Sequence, residues 1–219
     1  MSIATAEAYR QRIKGHSPEP VRDAAWLLCD GLLYGAVLDA GSGEGGWVRR
    51  LAESPTVTSL IAVDLIDAGA GSVGGVDLRL ANLSVDPLPV PDSSIDFMTA
   101  LEVIEHLANP RHFICEARRA LKPDGKLLVS TPCNDSLTAR LSLFFRGYYP
   151  AFAAHSYHAC GHISPITELD LQRMAGESGF SGIEFYYPPS GRMPRLKYRW
   201  PAVLKGKLWS DVLFAVLTK

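Results

Sequence analysis

A cluster of glycines directly after an acid offers the clearest chemistry in the chain. The segment VLDAGSGEGGWV, residues 37–48, ends a short apolar run and continues into a turn that is almost free of side chains. Two ligand-binding templates fit it: G-x-G-x-x-G through Gly41, Gly43 and Gly46, and D-x-G-x-G-x-G through Asp39, Gly41, Gly43 and Gly45. A plain tight turn between a strand and a helix is the alternative that needs no ligand.

The charge of Asp39 separates the two templates. A carboxylate at the tip of a strand repels the pyrophosphate of a dinucleotide, because like charges repel. A sulfonium cofactor with a free ammonium group has the opposite preference, so Asp39 favours the second template. Asp64 ends the next apolar run, VTSLIAVDL, at a point suited to accepting hydrogen bonds from two ribose hydroxyls. Nicotinamide sites use the same ribose contact, and Asp64 therefore does not discriminate.

A second set of reactive side chains follows the fourth apolar run. Glu105 and His106 stand in EVIEHL, and a later segment, HSYHACGHIS, supplies His155, His158, Cys160 and His162. We predict His106 as the general base, with Glu105 and His162 as further catalytic residues. The alternative is that Glu105 and His106 only stabilise the start of a helix. No metal is expected, because this spacing of His and Cys matches no familiar zinc pattern; the three later histidines are candidates for an acceptor pocket.

The order of apolar runs and turns predicts the elements that must position these residues. Strands and helices follow one another as β-α-β-β-β-α-β, which indicates an open α/β sheet. Two final strands joined by a loop predict an antiparallel edge. The predicted fold is a Rossmann-like, doubly wound, mostly parallel seven-stranded sheet with an antiparallel edge strand. Ligands of such sheets bind at the carboxyl ends of the strands, so Asp39–Gly46, Asp64, Asn82 and Glu102 should share one rim.

One domain is predicted for the 219 residues, because 47% of them are hydrophobic and can fill a complete core. Helices are expected over 1–35, the first at Ala6 to Lys14, and a ligand-binding core over 36–132. The aromatic- and histidine-rich stretch 133–166 and the basic stretch 188–208 are expected to cover the substrate.

Composition and charge exclude several classes of protein. A net charge of -1 argues against a nucleic-acid binder. The four cysteines form no C-x-x-C pair, which is typical of reduced thiols in the cytoplasm. The first residues do not resemble a signal peptide, and no apolar run approaches the ~18 residues needed to cross a bilayer. The basic residues over 192–207 leave open a weak contact with an anionic membrane surface.

Four segments in order carry a resemblance to a known family. They are VLDAGSGEGGWVRRLAE, IAVDL, ANLSVDPLPVPDSSIDFMTALEVIEHLANP and EARRALKPDGKLLVSTP. Together they resemble the successive motifs of class I S-adenosylmethionine-dependent methyltransferases, and the group that includes ubiquinone- and menaquinone-biosynthesis methyltransferases in particular. The resemblance covers Val37 to about Pro132 and resumes weakly at GHISPITELDLQRMAGESGF.

The resemblance implies S-adenosylmethionine as the cofactor and assigns its contacts. Asp39 would neutralise the amino-acid end, Asp64 would hold the ribose, and Asn82 would lie beside the adenine in place of the commoner Asp. The full implied set is Asp39, Gly41, Ser42, Gly43, Asp64, Leu65, Asn82, Leu83, Leu101 and Glu102.

A methyltransferase acting on oxygen of a small-molecule, sugar or lipid-linked acceptor is the function that follows. A protein that binds the cofactor without catalysis is the first alternative, and a nicotinamide-dependent oxidoreductase is the second. The aromatic residues of LFFRGYYPAF, residues 143–152, suggest a lid over the acceptor, and Arg146 among them suits an anionic group. The oligomeric state and the pathway stay open.

Overall fold

A computed structural model describes residues 17–189, 191–193 and 198–219. The helix predicted at Ala6 to Lys14 lies outside the described residues. The strands are β1 Gly35–Ala40, β2 Val57–Asp64, β3 Val76–Leu80, β4 Ile95–Leu101, β5 Leu121–Pro132, β6 Gly182–Tyr186 and β7 Val212–Thr218. The α-helices are α1 Glu19–Leu28, α2 Gly46–Ala52, α3 Pro110–Ala120, α4 Leu137–Arg146, α5 Ala154–Cys160 and α6 Glu168–Ser178.

The seven strands form one sheet in the order β3-β2-β1-β4-β5-β7-β6. The first five strands in that order pair in parallel, and β7 pairs antiparallel with both of its neighbours. The prediction of a mostly parallel sheet with an antiparallel edge is confirmed. The strand that runs antiparallel, β7, lies one position inside the edge strand β6.

The strand order reverses between β1 and β4, which makes a crevice at their carboxyl ends. The chain runs from β1 outward through β2 to β3, then crosses back to β4 and runs outward on the other side. Their helical connections diverge at this point, and ligands of open α/β sheets bind there. The register sets Asp39 of β1 directly beside Thr99 of β4.

Helices bury both faces of the sheet, which explains the near-continuous apolar strands. On one face Val37 and Phe97 pack with residues of α1 and α2, including Ala25 and Trp47. On the other face Leu38, Met98 and Leu127 pack with α3 and α6. Successive strand residues alternate between the two cores, because side chains of a strand point to opposite faces. This double covering holds the strand ends rigidly at the rim.

Local sequence signals account for the ends of the main helices. Asn109 caps α3 by accepting a hydrogen bond from the backbone N–H of His112 at 3.2 Å, and Pro110 occupies the first turn. Thr167 and Asp170 form a reciprocal capping box at the start of α6, as the sequence predicts. Gly179, with a φ of 82°, ends that helix.

The connections agree with the sequence-based expectation in one place and differ in another. Between β2 and β3 the sequence predicts no α-helix, and the structure has only a short 3-10 turn at Ala70–Ser72. The stretch 133–166 contains α4 and α5, which the sequence pattern does not predict. Their aromatic and histidine residues hide the periodicity, and α4 has only Ala139 and Ser142 buried.

Among the described residues, no helix combines the length and the apolar character that crossing a membrane requires.

Truncation of Phe113 should test the core beneath α3. This side chain is almost fully buried, so Phe113→Ala should lower the free energy of unfolding by about 3–5 kcal/mol. Leu27→Ala is the matched control, since Leu27 on α1 is 78% exposed and its loss should change stability by less than about 0.5 kcal/mol. Urea unfolding followed by circular dichroism measures both, and equal effects would contradict the packing described.

Candidate active site

The glycine loop between β1 and α2 needs its glycines at the positions of the D-x-G-x-G-x-G template. Gly41, Gly43 and Gly45 all have positive φ angles, of 78°, 55° and 79°. Gly46 instead is the first residue of α2 and has no such constraint. A side chain at position 41 would also collide with Val103, just beyond β4. The backbone is therefore shaped for close approach of a ligand, and it packs against the 102–106 turn.

Asp39 is buried at the penultimate position of β1 and is held from β4. The Thr99 hydroxyl donates to Asp39 Oδ1 at 2.7 Å, and Trp47 Nε1–H donates to Thr99 Oγ1 at 3.1 Å. Burial raises the pKa of Asp39 to about 7; the Thr99 hydrogen bond opposes this shift, and the nearby Asp64 carboxylate adds to it. A buried acid of this kind gains from a cationic ligand.

Asp64, at the end of β2, is buried and holds the glycine loop in place. Its Oδ2 accepts from the Gly43 backbone N–H at 2.8 Å, and its Oδ1 accepts from the Leu65 N–H at 2.6 Å. A carboxylate has about four acceptor positions, so hydroxyls of a ribose fit in addition. Ser42, in the same loop, is buried, and its hydroxyl has no hydrogen-bond partner in the described chain. A ligand in the loop would satisfy it.

The remaining residues of the predicted cofactor set lie at the same rim or just beneath it. Asn82 is half-buried, and its Oδ1 accepts from the Ser84 N–H at 3.1 Å, which leaves one acceptor position for an adenine amino group. Leu65 is half-buried beside Asp64. Leu83 and Leu101 are buried in the cores of opposite faces, where they support the rim.

Glu102 follows β4 with a φ of 55°, which is unusual for a residue other than glycine. Its backbone N–H donates to the Ser130 hydroxyl, and that hydroxyl donates to Glu102 Oε1, both at 2.9 Å. Burial raises the pKa of Glu102 to about 7, and the bond from Ser130 opposes the shift. Strained backbone conformations concentrate at functional sites.

The three predicted catalytic residues lie together beside Glu102. One ligating atom from each of Glu105, His106 and His162 lies within 4.8 Å of the other two. The imidazole rings of His106 and His162 meet edge to face, with centroids 4.8 Å apart. Whether these residues catalyse a reaction stays a prediction, but the fold brings together side chains that are far apart in sequence.

Burial dominates the electrostatics of this group. It raises the pKa of Glu105 well above its usual range, and the Glu102 carboxylate adds to the shift. It lowers the pKa of His106 to about 4, with a further decrease from His162 and an opposing effect of the Gly161 carbonyl. It also lowers the pKa of His162, against the Ala151 carbonyl. Both imidazoles are therefore neutral at pH 7.

The other histidine-rich candidates do not join this group. His155, His158 and Cys160 are exposed on α5, outside the group of Glu105, His106 and His162, and an acceptor-pocket role of His155 and His158 stays a prediction. Phe152 instead contacts the His162 ring at 5.5 Å between centroids. In LFFRGYYPAF, Phe144 and Phe145 are exposed.

The basic stretch over 192–207 is partly neutralised by acids. Arg192 pairs with Asp211 at 3.0 Å, and Lys207 pairs with Glu168 at 2.9 Å. Two further members, Arg195 and Lys197, lie outside the described residues. Contact with an anionic membrane surface stays a prediction.

Sequence reasoning misses the residues that support the site from neighbouring strands. Thr99 and Ser130 each bond to a rim residue through strand pairing that no local motif encodes. The one available signal is their position: Thr99 and Ser130 are polar residues inside otherwise apolar strands.

A family model described as a methyltransferase domain matches residues 11–184. The chain belongs to the methyltransferase-domain family. Its membership confirms the resemblance seen in the sequence and decides against a nicotinamide-dependent oxidoreductase.

Curated relatives and solved structures agree with this membership. The chain is 39% identical to a probable S-adenosylmethionine-dependent methyltransferase of Mycolicibacterium smegmatis over 100 residues, 44% of this chain and 37% of that protein. It is 29% identical to a demethylmenaquinone methyltransferase of Tropheryma whipplei over 118 residues, 50% of this chain and 48% of that protein. The chain thus spans less than half the length of these relatives.

The fold is shared with a solved structure from Thermotoga maritima. That protein is described as an S-adenosylmethionine-dependent methyltransferase and possible histamine N-methyltransferase. The match has a TM-score of 0.68 at 19% identity and covers 91% of this chain and 87% of that one. At this identity the likeness concerns the fold alone.

S-adenosylmethionine is the cofactor of this methyltransferase, and the residues of the rim fit it. The loop from Gly41 to Gly45 leaves room for the methionine part of the cofactor. The buried Ser42 hydroxyl has no hydrogen-bond partner among the described residues and is available to bond to it. Buried Asp39 suits a positive charge, and Asp64 suits a ribose.

Asp39→Asn should have opposite effects on stability and on ligand affinity. The folded-state pKa of about 7 lies above the ordinary 3.8, so ionised Asp39 costs stability above pH 7 and costs none below about pH 4. The variant should therefore gain more unfolding free energy at pH 8 than at pH 5. It should bind S-adenosylhomocysteine about tenfold or more weakly at pH 8, because it loses a charge-assisted contact. Urea unfolding and calorimetry at both pH values check this; a stability difference independent of pH would contradict it.

Asp64→Ala should weaken binding of S-adenosylhomocysteine by roughly 10- to 100-fold, since it removes both the ribose acceptor and the bond to Gly43. Asp77→Ala is the control, because Asp77 is exposed on β3 and pairs with the half-buried Arg79. Isothermal titration calorimetry compares the two variants. Unchanged affinity in Asp64→Ala sinks the ribose assignment.

Proposed function

We propose that this methyltransferase transfers the methyl group of S-adenosylmethionine to an oxygen of a small-molecule, sugar or lipid-linked acceptor. The observation that carries the proposal is the grouping of Glu105, His106 and His162 just beyond β4, which ends at Leu101. The neutral imidazoles can receive a proton, and His106 stands on the turn that packs against the glycine loop.

The need for a proton acceptor favours oxygen over other acceptor atoms. A hydroxyl is a poor nucleophile until its proton is removed, and a positioned base supplies typically 10²–10⁴-fold in rate. A neutral amine already carries a lone pair and does not require such a base. His106 has its Nδ1 bonded to the Gly161 carbonyl at 3.2 Å, which leaves Nε2 with an available lone pair.

The chain's own contribution to the reaction is positioning and proton removal. The cofactor, when bound, supplies an activated methyl group on a sulfonium. Asp39, Asp64 and the glycine loop hold it in one orientation. His106 Nε2 would take the hydroxyl proton, which makes the acceptor oxygen a better nucleophile toward the methyl group that the cofactor would supply. Alignment of this kind accounts for up to about 7–11 kcal/mol of barrier reduction in favourable cases.

Exposed aromatic residues favour an acceptor with an apolar part. Phe144 is 81% exposed and Phe145 69%, and both stand at the end of α4 beside Arg146. Large apolar side chains exposed next to each other commonly mark a contact surface. Among the acceptor classes proposed, this surface supports a lipid-linked molecule, whose anionic group Arg146 would meet.

A screen with labelled cofactor tests the acceptor atom. The protein is incubated with methyl-¹³C S-adenosylmethionine and three matched sets of acceptors, which offer a hydroxyl, an amine or a thiol on the same apolar scaffolds. Release of S-adenosylhomocysteine reports turnover, and the ¹³C chemical shift identifies the methylated atom. We expect a methoxy signal. Methylation of nitrogen or sulfur alone overturns the proposal.

His106→Gln should separate catalysis from cofactor binding. Loss of the base should lower kcat by about 10²–10⁴-fold with a hydroxyl acceptor, while the affinity for S-adenosylhomocysteine stays within about threefold. His155→Gln is the control, since His155 is exposed on α5 and its ring contacts only Ser156. Stopped assays of product formation and calorimetry provide both quantities. A variant that turns over at the parent rate would show that His106 is not the base.

A further inference from the structure

Glu105, beside the two histidines, has a buried carboxyl group without a hydrogen-bond partner in the part of the chain that the structure describes. Glu105 has 0% exposure, and neither of its carboxylate oxygens has a hydrogen-bond partner within the described residues. A buried carboxyl group without a hydrogen-bond partner costs free energy even when it is neutral, and a buried carboxylate is ordinarily paired or bound to a metal. The group therefore needs compensation that the described protein atoms do not give.

The imidazole rings of His106 and His162, next to Glu105, are held in the way that metal-binding histidines usually are. The Nδ1 of His106 bonds to the Gly161 carbonyl at 3.2 Å, and the Nδ1 of His162 bonds to the Ala151 carbonyl at 2.8 Å. Histidines that bind metals nearly always donate their other ring N–H to a carbonyl or carboxylate, which fixes the ring and its tautomer. In each ring Nε2 is left with its lone pair.

Backbone hydrogen bonds hold the two ligand-bearing segments together. The Glu105 carbonyl accepts from the N–H groups of Ile163 at 3.0 Å and Ser164 at 2.9 Å. The Ser164 hydroxyl also donates to the Leu107 carbonyl at 2.6 Å. The two residues that follow His162 are thereby tied to the segment that carries Glu105 and His106, so the three side chains meet without any ligand to gather them.

We propose that Glu105, His106 and His162 bind a first-row divalent transition metal such as Zn²⁺. Two imidazoles and one carboxylate on one side of an ion leave the other positions open for water or a substrate oxygen. Bonds of about 2.0–2.2 Å would bring the ligand atoms to roughly 3–3.5 Å from one another, closer than the present spread of up to 4.8 Å, so small side-chain rotations complete the site.

This site contradicts the expectation of no metal, which considered only the spacing within HSYHACGHIS. Its ligands come instead from two segments, and only His162 belongs to that motif. The aromatic ring of Phe152 against His162 adds a water-excluding side to the site. In the metal-bound protein the Nε2 lone pair of His106 is used for coordination, so the ion would promote loss of the acceptor hydroxyl proton to water in place of the base. This role rests on the proposed function; the binding of the ion does not.

The test uses the full chain, stripped with a chelator and dialysed. Zn²⁺ is titrated by calorimetry, Co²⁺ by its visible absorption, and Mg²⁺ serves as the control for an oxygen-preferring ion. We expect one equivalent of Zn²⁺ and of Co²⁺ with little Mg²⁺ binding. Glu105→Gln and His162→Gln should each weaken Zn²⁺ binding at least tenfold. The triple variant His155→Gln/His158→Gln/Cys160→Ser removes the exposed ligand types on α5 and should bind Zn²⁺ as the parent does.

Stability and cofactor affinity distinguish a lost ligand from a lost fold. The metal-free Glu105→Gln protein should melt at the parent temperature or above it, because the amide removes a buried carboxyl without changing its shape. Both single variants should retain S-adenosylhomocysteine binding. Parent-like Zn²⁺ affinity in Glu105→Gln and His162→Gln, or loss of binding in the triple variant, overturns the metal site.

The two proposals fail separately. If the protein binds a metal through these ligands but methylates only amines, the metal site is supported and oxygen is refuted as the acceptor. Methoxy formation that persists after chelation, in a protein that binds no Zn²⁺, would refute the metal site and leave the proposed function standing.

Discussion

Negative charge is concentrated at the carboxyl ends of the central strands, and the rest of the site is arranged around it. Asp39, Asp64, Glu102 and Glu105 all lie on this rim. Burial raises the pKa of three of them, and neighbouring carboxylates raise two of these further. A fold that gathers acids in this way depends on compensation, because each ionised group costs free energy when it is desolvated.

The protein supplies part of that compensation from neighbouring strands and loops. Thr99 donates to Asp39, the backbone of Gly43 donates to Asp64, and Ser130 donates to Glu102. Glu105 receives no hydrogen bond from the described residues. The remaining stabilisation of these acids must come from ligands: a cationic cofactor beside Asp39 and, under our proposal, a metal ion beside Glu105. Sites that await ligands commonly reduce the stability of the free protein.

The cofactor side and the acceptor side are mechanically joined. Val103 packs against Gly41 so tightly that no side chain fits there, and the turn from Glu102 to His106 therefore rests on the glycine loop. The same turn is bonded to the residues around His162. Both substrates of a methyl transfer would thus be positioned by backbone segments in direct contact with one another, supported by two packed cores beneath the rim.

Sequence alone predicts the parts of this arrangement that depend on neighbouring residues. Glycines that follow an acid, apolar runs that end in acids, and the capping pair at Thr167 and Asp170 are local signals, because turn conformations and helix ends are decided within a few residues. These signals, with the order of the strands, were enough to predict the sheet, the loop and the family. The short helices α4 and α5 were not predicted, because their exposed aromatic residues leave no clear helical periodicity of apolar positions.

Only the tertiary structure decides which distant side chains meet. The motif HSYHACGHIS offers three histidines, of which His162 is predicted to be catalytic, and only the packed chain brings the His162 ring against that of His106. Likewise Thr99 finds Asp39 through the parallel register of β1 and β4. Which strands pair, and where a long loop comes back to the sheet, depend on how the whole chain packs. The positions of the glycines and acids depend only on the backbone conformations of one turn, and they can therefore be read from the sequence.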